Sequence, residues 1–359
     1  MIGVSPTSWT EPQIELVKEE FHLLNVFRPQ KQQGESFFKR AYRAFSPWII
    51  DTQGLKLKQD DQQTFDKLLT NYDLIWIHGI KTANNLGHYR IANSVVDLDD
   101  YSSQFHWTMA KNMELSLRQR SNRLRRSVVW WFRERYAKKR FDALVICKAA
   151  DKAKFGCANK TFVIANGFER QPTERNANYK EKPLLGMIGN FDYVLNSNAI
   201  DWFLENCWQK LRAGKPSLEL HLIGKGSERY SQPDNNIQGL GFVDDPTAEL
   251  SQWCALIAPT NVGGGTSVKI AEAFARKIPV VSTSHGARGY FSSAGEPRIL
   301  IADDEQSFIE QCEKIIQSED FSNTLANNAY QFYEQSLTWD SISDEIDRCV
   351  QLVIQKKNP

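Results

Sequence analysis

At 359 residues the chain exceeds the ~250–300 residues at which one hydrophobic core stops growing, so two domains are expected. Hydrophobic residues at 41% and charged residues at 24%, without a low-complexity tract, exclude a disordered chain, and a net charge of +1 excludes a surface given over wholly to polyanions. The six cysteines, Cys147, Cys157, Cys207, Cys254, Cys312 and Cys349, stand singly with no CxxC pair, which excludes an ordinary zinc site and reads as reduced core thiols.

The first ten residues lack a basic start followed by an apolar stretch, and no apolar run reaches the ~18 residues of a membrane span, so a cytoplasmic location is expected. Short β-branched runs then alternate with amphipathic stretches, the pattern of parallel sheets wrapped by helices. Strands are expected at 2–4, 25–27, 74–77, 94–98, 144–147 and 162–165. The first strand is followed by "SPTSWTEP" and not by a glycine-rich turn, which predicts a shortened or missing first βα unit.

His78 ends one of these strands, at the edge where doubly wound sheets bind ligands, and is a candidate on the acceptor side; a satisfied structural histidine is the alternative. His88 and Arg90 follow in a loop, and only that placement makes His88 a second candidate. The run "VVDLDDYSS" carries Asp97, Asp99 and Asp100 and superficially resembles a metal-binding DxD. A strand ending in acidic loop residues explains it equally well, and no catalytic metal is expected. Residues 111–140 hold eleven Lys or Arg against two Glu, interleaved with Val128, Val129, Trp130, Trp131, Phe132 and Tyr136. Such a helix either lies on an anionic membrane surface, gaining roughly 1 kcal/mol per basic side chain, or packs its aromatics on its own domain. No recognisable nucleic-acid module accompanies it, so nucleic acid is not an expected partner.

The polar stretch 170–183, with two prolines, reads as a linker, placing the domains at 1–175 and 176–335. Strands of the second domain are expected at 184–188, 218–223, 237–240, 255–258 and 279–282, with a helix over 198–211 that turns Ile200, Phe203, Leu204, Cys207 and Leu211 to one side. The fold class is therefore α/β, with two Rossmann-like domains.

The segment "ALIAPTNVGGGTSVKIAEAFARKIPVVST", residues 255–283, reads as strand, glycine turn, helix and strand. Gly263, Gly264 and Gly265 remove every Cβ from the turn, and the helix expected to begin near Thr266 or Ser267 aims its free N–H groups at the same place, which suits a diphosphate. Lys269 and Glu272 share a helix face, a cation for phosphate and a carboxylate for sugar hydroxyls. A tight turn with a surface ion pair is the plainer alternative.

Taken with "FDALVICKAAD", "VIANGFE", "GNFDYVLNSNAIDWF", "LHLIGKG", "GLGFVDD", "PVVSTSHGARGY" and "LTWD", in that order over about residues 141–345, this segment resembles the retaining glycosyltransferases of the GT-B fold, family 4 or group 1. The resemblance implies two facing Rossmann-like domains, with 336–359 a closing helix that returns to the first. It implies transfer from a nucleoside diphosphate sugar, with retention, to a glycan, a lipid-linked glycan or a small hydroxyl acceptor in polysaccharide biosynthesis, with no cofactor besides that donor. Peripheral attachment at the inner membrane face would fit the basic segment. Glu272 matches the glutamate on the donor ribose; Gly265, Thr266 and Ser267 match the phosphate cradle. Phe242 and Val243 match the loop at the base, Gly224 and Gly226 match a turn at the pocket edge, and Asp99 is the candidate beside the transferred sugar.

Two departures stand out. The family's second glutamate is replaced by Gly264, and its diphosphate-binding arginine after the first strand of the second domain by Asn190, which leaves phosphate binding to the helix terminus, Lys269 and Arg288. A non-catalytic partner of this fold and a sugar-nucleotide epimerase are the alternatives. A nicotinamide dehydrogenase lacks its GxGxxG.

Overall fold

The computed structural model describes residues 2–4, 25–31, 36–46, 55–290 and 297–355. Residues 5–24, with "SPTSWTEP", fall outside these, and so does the reading of the first βα unit. Contacts divide the chain into one unit of residues 1–163 and 345–359 and another of residues 164–344.

In the first unit β1 (Ile2–Val4) pairs in parallel with β2 (Asn25–Phe27). An antiparallel pair, β3 (Gln30–Lys31) with β4 (Leu55–Lys56), brackets helix α1 (Phe37–Phe45). Helix α2 (Gln59–Asn71) follows, then β5 (Ile75–His78), α3 (Ile80–Asn85), β6 (Ser94–Asp97), α4 (Ser102–Asn112), α5 (Leu117–Arg140), β7 (Ala143–Ile146) and β8 (Thr161–Val163). The four strands β5-β6-β7-β8 form a parallel sheet in that order. Val95, Val96, Leu144 and Ile146 are wholly buried because helices cover both faces, which is why these strands read as apolar runs without alternation. The register sets His78 beside Asp97 at the carboxyl ends.

Helix α5 begins with a capping box: Gln119 N donates to Ser116 Oγ at 3.3 Å and Ser116 N donates to Gln119 Oε1 at 3.0 Å. Its inward face is Ser127, Val129, Trp130, Arg133, Glu134, Ala137 and Arg140. Trp130 belongs to the first unit's core, whereas Val128, Trp131 and Phe132 face outward. The expected aromatic cluster is thus split by helical phase, and Trp130 is withdrawn from any membrane surface.

The second unit holds β9 (Leu184–Ile188), α6 (Val194–Phe203), α7 (Gln209–Gly214), β10 (Glu219–Ile223), β11 (Ile237–Gly241), α8 (Thr247–Leu250), β12 (Ala255–Ala258), α9 (Val268–Ala275), β13 (Val280–Ser282), β14 (Leu300–Ile301), α10 (Glu305–Gln317) and α11 (Glu319–Ser336). Its six-stranded parallel sheet has the order β11-β10-β9-β12-β13-β14. Strand pleating sends Leu185, Met187, Leu220, Leu222, Ala255 and Ile257 into one core, and Leu184, Ile223, Leu256 and Ala258 into another on the opposite face. The chain steps from β9 to β10 on one side and later to β12 on the other, so the strand order reverses beside β9. Open α/β sheets bind ligands at such a point.

The helix expected over 198–211 starts earlier, at Val194, and passes through a π-turn at Leu204–Trp208 into α7. The wider turn brings Trp208, five residues after Phe203, onto the buried face, which the 3.6-residue spacing did not foretell. The stretch 170–183 is not a free linker. Asn176 N donates to Ser251 O at 2.8 Å, Arg175 Nη2 donates to Trp253 O at 2.8 Å, and buried Tyr179 shares a 2.6 Å hydrogen bond with Ser322 Oγ. The division falls at Val163/Ile164 because these side chains tie the polar stretch to the second unit. A final helix, α12 (Trp339–Gln355), closes the chain, with residues from 345 onward grouped in the first unit.

Candidate active site

In the second unit the carboxyl ends of β9, β10 and β11 are bound to one another by backbone. Gly189 N donates to Ile223 O at 2.9 Å and Gly224 N to Gly241 O at 2.7 Å. Gly224 has φ +126°, and a Cβ there would lie 2.0 Å from Gly189 O, so only glycine allows this approach. Gly226 holds a left-handed φ of +80° at the next turn. Asn190 folds its loop by accepting from Asp192 N through Oδ1 at 2.9 Å. Its carbonyl accepts from Asn196 Nδ2 at 2.8 Å.

Across the switch point, the loop after β12 carries the glycines. Of the three, Gly263 alone takes a left-handed φ, +147°, so the turn's conformational demand falls there and not on Gly265. Helix α9 begins at Val268 with Ser267 as its cap residue, one residue beyond the expected start. Thr266 Oγ1 accepts from Asn166 Nδ2 at 2.8 Å. Arg288 reaches the turn from the loop after β13: Nη2 donates to Gly263 O at 3.3 Å and stands 3.0 Å from His285 Nε2.

Lys269 Nζ donates to Asn196 Oδ1 at 2.8 Å and so joins the first turn of α9 to the first turn of α6. Burial pushes its pKa down to about 8. Asn196 was missed by sequence reasoning, since nothing in a helix-start asparagine distinguishes a bridging role. Glu272 lies one turn further along α9, with Oε1 3.3 Å from Arg276 Nε; desolvation raises its pKa and Arg276 opposes that rise. Phe242 is exposed, while Val243 packs against the second unit's second core. The structure thus groups Asn190, Gly224, Gly263, Lys269 and Arg288 about one sheet edge.

In the first unit a cavity of about 210 Å³ opens at the ends of β5 and β6, lined by His78, Lys81, Asp97, Asp99, Asp100 and Glu134 among others. His78 Nδ1 is 3.7 Å from Asp97 Oδ2, and that interaction, with the charges of Asp97, Asp99 and Asp100, raises the imidazole pKa. Glu134, almost wholly buried, has its pKa pushed up to about 7 by desolvation, although Ser103 donates to it through N at 2.9 Å and through Oγ. Lys81 and Glu134 were not singled out from the sequence; they arrive through helix phase. His88 stands apart: its Nε2 is 2.7 Å from Asp66 Oδ1 and 3.3 Å from Gln62 Nε2, a network that holds the loop to α2. It does not line the His78 cavity. Among the described residues no group of three or more His, Cys, Asp or Glu is placed to hold a metal ion, and no helix is long and apolar enough to cross a membrane.

Residues 182–318 match the family model described as Glycosyl transferases group 1. The second unit is therefore similar to a group 1 glycosyltransferase domain over most of its length. The group 1 match starts two residues before β9 and ends just after α10, and so contains the whole switch-point cradle. A Klebsiella pneumoniae protein described as an uncharacterized 44.6 kDa protein in a cps region is 24% identical over 162 residues, 42% of this chain. That match spans only 41% of the relative's length. Among solved structures, HepE of Anabaena in complex with UDP and glucose has a TM-score of 0.62 at 15% identity, covering 98% of this chain and 91% of that one. Sucrose-phosphate synthase of Thermosynechococcus elongatus has a TM-score of 0.62 at 13% identity, covering 99% and 96%. The chain has the GT-B fold, two Rossmann-like α/β units each built on a parallel sheet.

Proposed function

We propose that this chain transfers a glycosyl group from a nucleoside diphosphate sugar to a hydroxyl of a glycan or lipid-linked glycan, with retention and without a metal. The observation that carries the reading is the convergence, at the switch point of a domain similar to those of group 1, of a glycine turn, a helix N-terminus and a desolvated ammonium. As the glycosidic bond breaks, negative charge gathers on the leaving diphosphate. Lys269, Arg288 and the first N–H groups of α9 meet that charge without having to reorganise, the arrangement that contributes most in such steps. Glu272 accepts from the donor ribose, Asp99 stands beside the transferred sugar, and His78 faces the acceptor. HepE's complex with UDP and glucose supports uridine diphosphate as the first nucleotide to test, and the relative's place in a cps region supports a glycan acceptor.

Calorimetric titration with UDP, GDP, ADP and thymidine diphosphate tests the donor site, followed by product analysis with the matching sugar nucleotides, with and without chelator. Binding and transfer with an α-to-α or β-to-β outcome are expected. Failure to bind any nucleoside diphosphate refutes the reading. Binding without hydrolysis, epimerisation or transfer assigns the chain to the non-catalytic alternative, and a changed sugar without transfer assigns it to the epimerases.

A further inference from the structure

Helix α5 carries apolar side chains on two of its sides. One side is the inward face with Trp130; the other holds Val128, Trp131 and Phe132, at the i, i+3, i+4 spacing that sets them together. These three are 56%, 43% and 39% exposed, and with Trp107 of α4, 54% exposed, they line a cavity of about 560 Å³ between α4, α5 and the short helical segment Ala149–Phe155. Apolar side chains left open to solvent around one concave surface mark a place where a ligand or partner covers them. A volume of this size with a chiefly aromatic and aliphatic wall is that of a small-ligand site.

The wall suits hydrocarbon. Of its polar side chains, Ser103, Ser127 and Glu134 are paired with one another: Ser103 donates to Glu134 through N at 2.9 Å and through Oγ, and Ser127 Oγ donates to Ser103 O at 2.8 Å. Trp131 and Phe132 meet edge to face at 4.9 Å, and Arg135 lies over the Trp131 ring at 3.6 Å, which holds the aromatic side in place. Glu134 also lines the cavity at the ends of β5 and β6, and the consecutive residues Ser102 and Ser103 line one cavity each. The two cavities are therefore neighbours of opposite character. The His78 cavity offers Asp97, Asp99 and Asp100, carboxylates that accept from hydroxyls. Among its described lining residues carboxylates outnumber Lys81 and His78, which favours a neutral polyhydroxyl group over an anion. A ligand that fills both cavities has a sugar head and an apolar tail.

We infer that the cavity between α4 and α5 takes the hydrocarbon tail of an amphiphilic glycoside whose sugar head lies at the His78 cavity, and that the acceptor is of this class, a sugar carried on a lipid and not a free glycan. That the bound glycoside is the acceptor rests on the proposed glycosyl transfer; the binding of the tail does not.

The test measures binding of hexyl and octyl glucoside, below their micelle concentrations, to the full chain by calorimetry in the absence of any donor, for wild type, V128D and V128I. UDP affinity and melting temperature are measured alongside. Val128 is more than half exposed, so both variants retain the fold. Wild type is expected to bind octyl glucoside about tenfold more tightly than hexyl glucoside, since each buried methylene contributes about three- to fourfold. V128I should keep that difference. V128D sets a carboxylate against the tail and should bind octyl glucoside at least about tenfold more weakly than wild type, while UDP affinity stays within about twofold. In transfer, the octyl glycoside of the accepted sugar should show a KM at least about tenfold below that of the free sugar at similar kcat, and V128D should erase the difference; equal KM values in wild type overturn the acceptor assignment alone. Equal octyl glucoside affinity of wild type and V128D, equal affinity of wild type for the two glucosides, or no binding by wild type overturns the tail site whether or not the chain transfers sugar.

Discussion

Replacing Lys269 by Met is expected to stabilise the empty protein and weaken nucleoside diphosphate binding at once. Burial alone pushes the Lys269 pKa from 10.5 to about 8, and the ammonium donates to an amide oxygen, that of Asn196, rather than to a carboxylate. Holding the charge there costs on the order of 3 kcal/mol. Met removes that cost but leaves Asn196 Oδ1 without its donor, returning about 1 kcal/mol, so the variant gains roughly 2 kcal/mol and melts a few degrees higher at pH 7. The folded pKa lies below the unfolded one. Between about pH 8 and 10.5 the unfolded chain therefore binds more protons, wild-type stability rises with pH, and the variant's advantage shrinks across that window. Bound diphosphate favours the charged form and supplies a charge-assisted contact of about 1.5–3 kcal/mol, so affinity at pH 7 should fall about 10- to 150-fold. Wild-type affinity should decline above about pH 8, where the ammonium must recapture its proton to bind, and the variant should lack this dependence. Titration with the preferred diphosphate from pH 6.5 to 9.5, with melting curves at each pH, decides the matter. Unchanged affinity at pH 7 removes Lys269 from the diphosphate, and a lowered melting temperature makes its role structural.

Glu272→Gln should weaken nucleotide binding about tenfold with little change in melting temperature, because an amide offers one accepting oxygen to the ribose where a carboxylate offers two; equal affinity by calorimetry would take Glu272 out of the donor site. Gly186→Ala should cost about 1–3 kcal/mol, since a Cβ there lies 2.2 Å from the wholly buried Trp253 ring, while nucleotide affinity per folded molecule is preserved. A variant with wild-type denaturant midpoint would contradict that close approach. Trp131→Ser with Phe132→Ser should reduce binding to anionic vesicles without lowering the melting temperature, whereas Trp130→Ala should lose roughly 3–5 kcal/mol of stability. Absence of wild-type vesicle binding in low salt ends the membrane proposal.

These contrasts mark what a single sequence discloses about this chain. The strands around the glycine turn were legible because parallel strands buried on both faces leave unbroken apolar runs, and "NVGGGTS" between such a run and an amphipathic helix leaves few structures open. What the turn demands of each glycine was not legible. Gly263 carries the left-handed backbone because His285 and Arg288 approach it from a loop twenty or more residues later, and no local pattern encodes that meeting.

The basic helix shows the same limit from the other side. Composition over 111–140 counts eleven cations and a run of aromatics, and an average over the segment treats them as one surface. A helix turns about 100° per residue, so Trp130 and Trp131 face different media: one closes the core and carries Lys81 and Arg133 on its ring, the other meets solvent with Arg135 stacked on it at 3.6 Å. The same phase divides the charges. Arg133 is drawn under α1 with Arg125, toward Lys81 of α3, and there cations far apart in sequence line one cavity. Periodicity could have separated the two tryptophans, but the gathering of Arg43, Lys81 and Arg133 depends on packing among three elements. A cavity gathered in this way is readable only once the chain has folded.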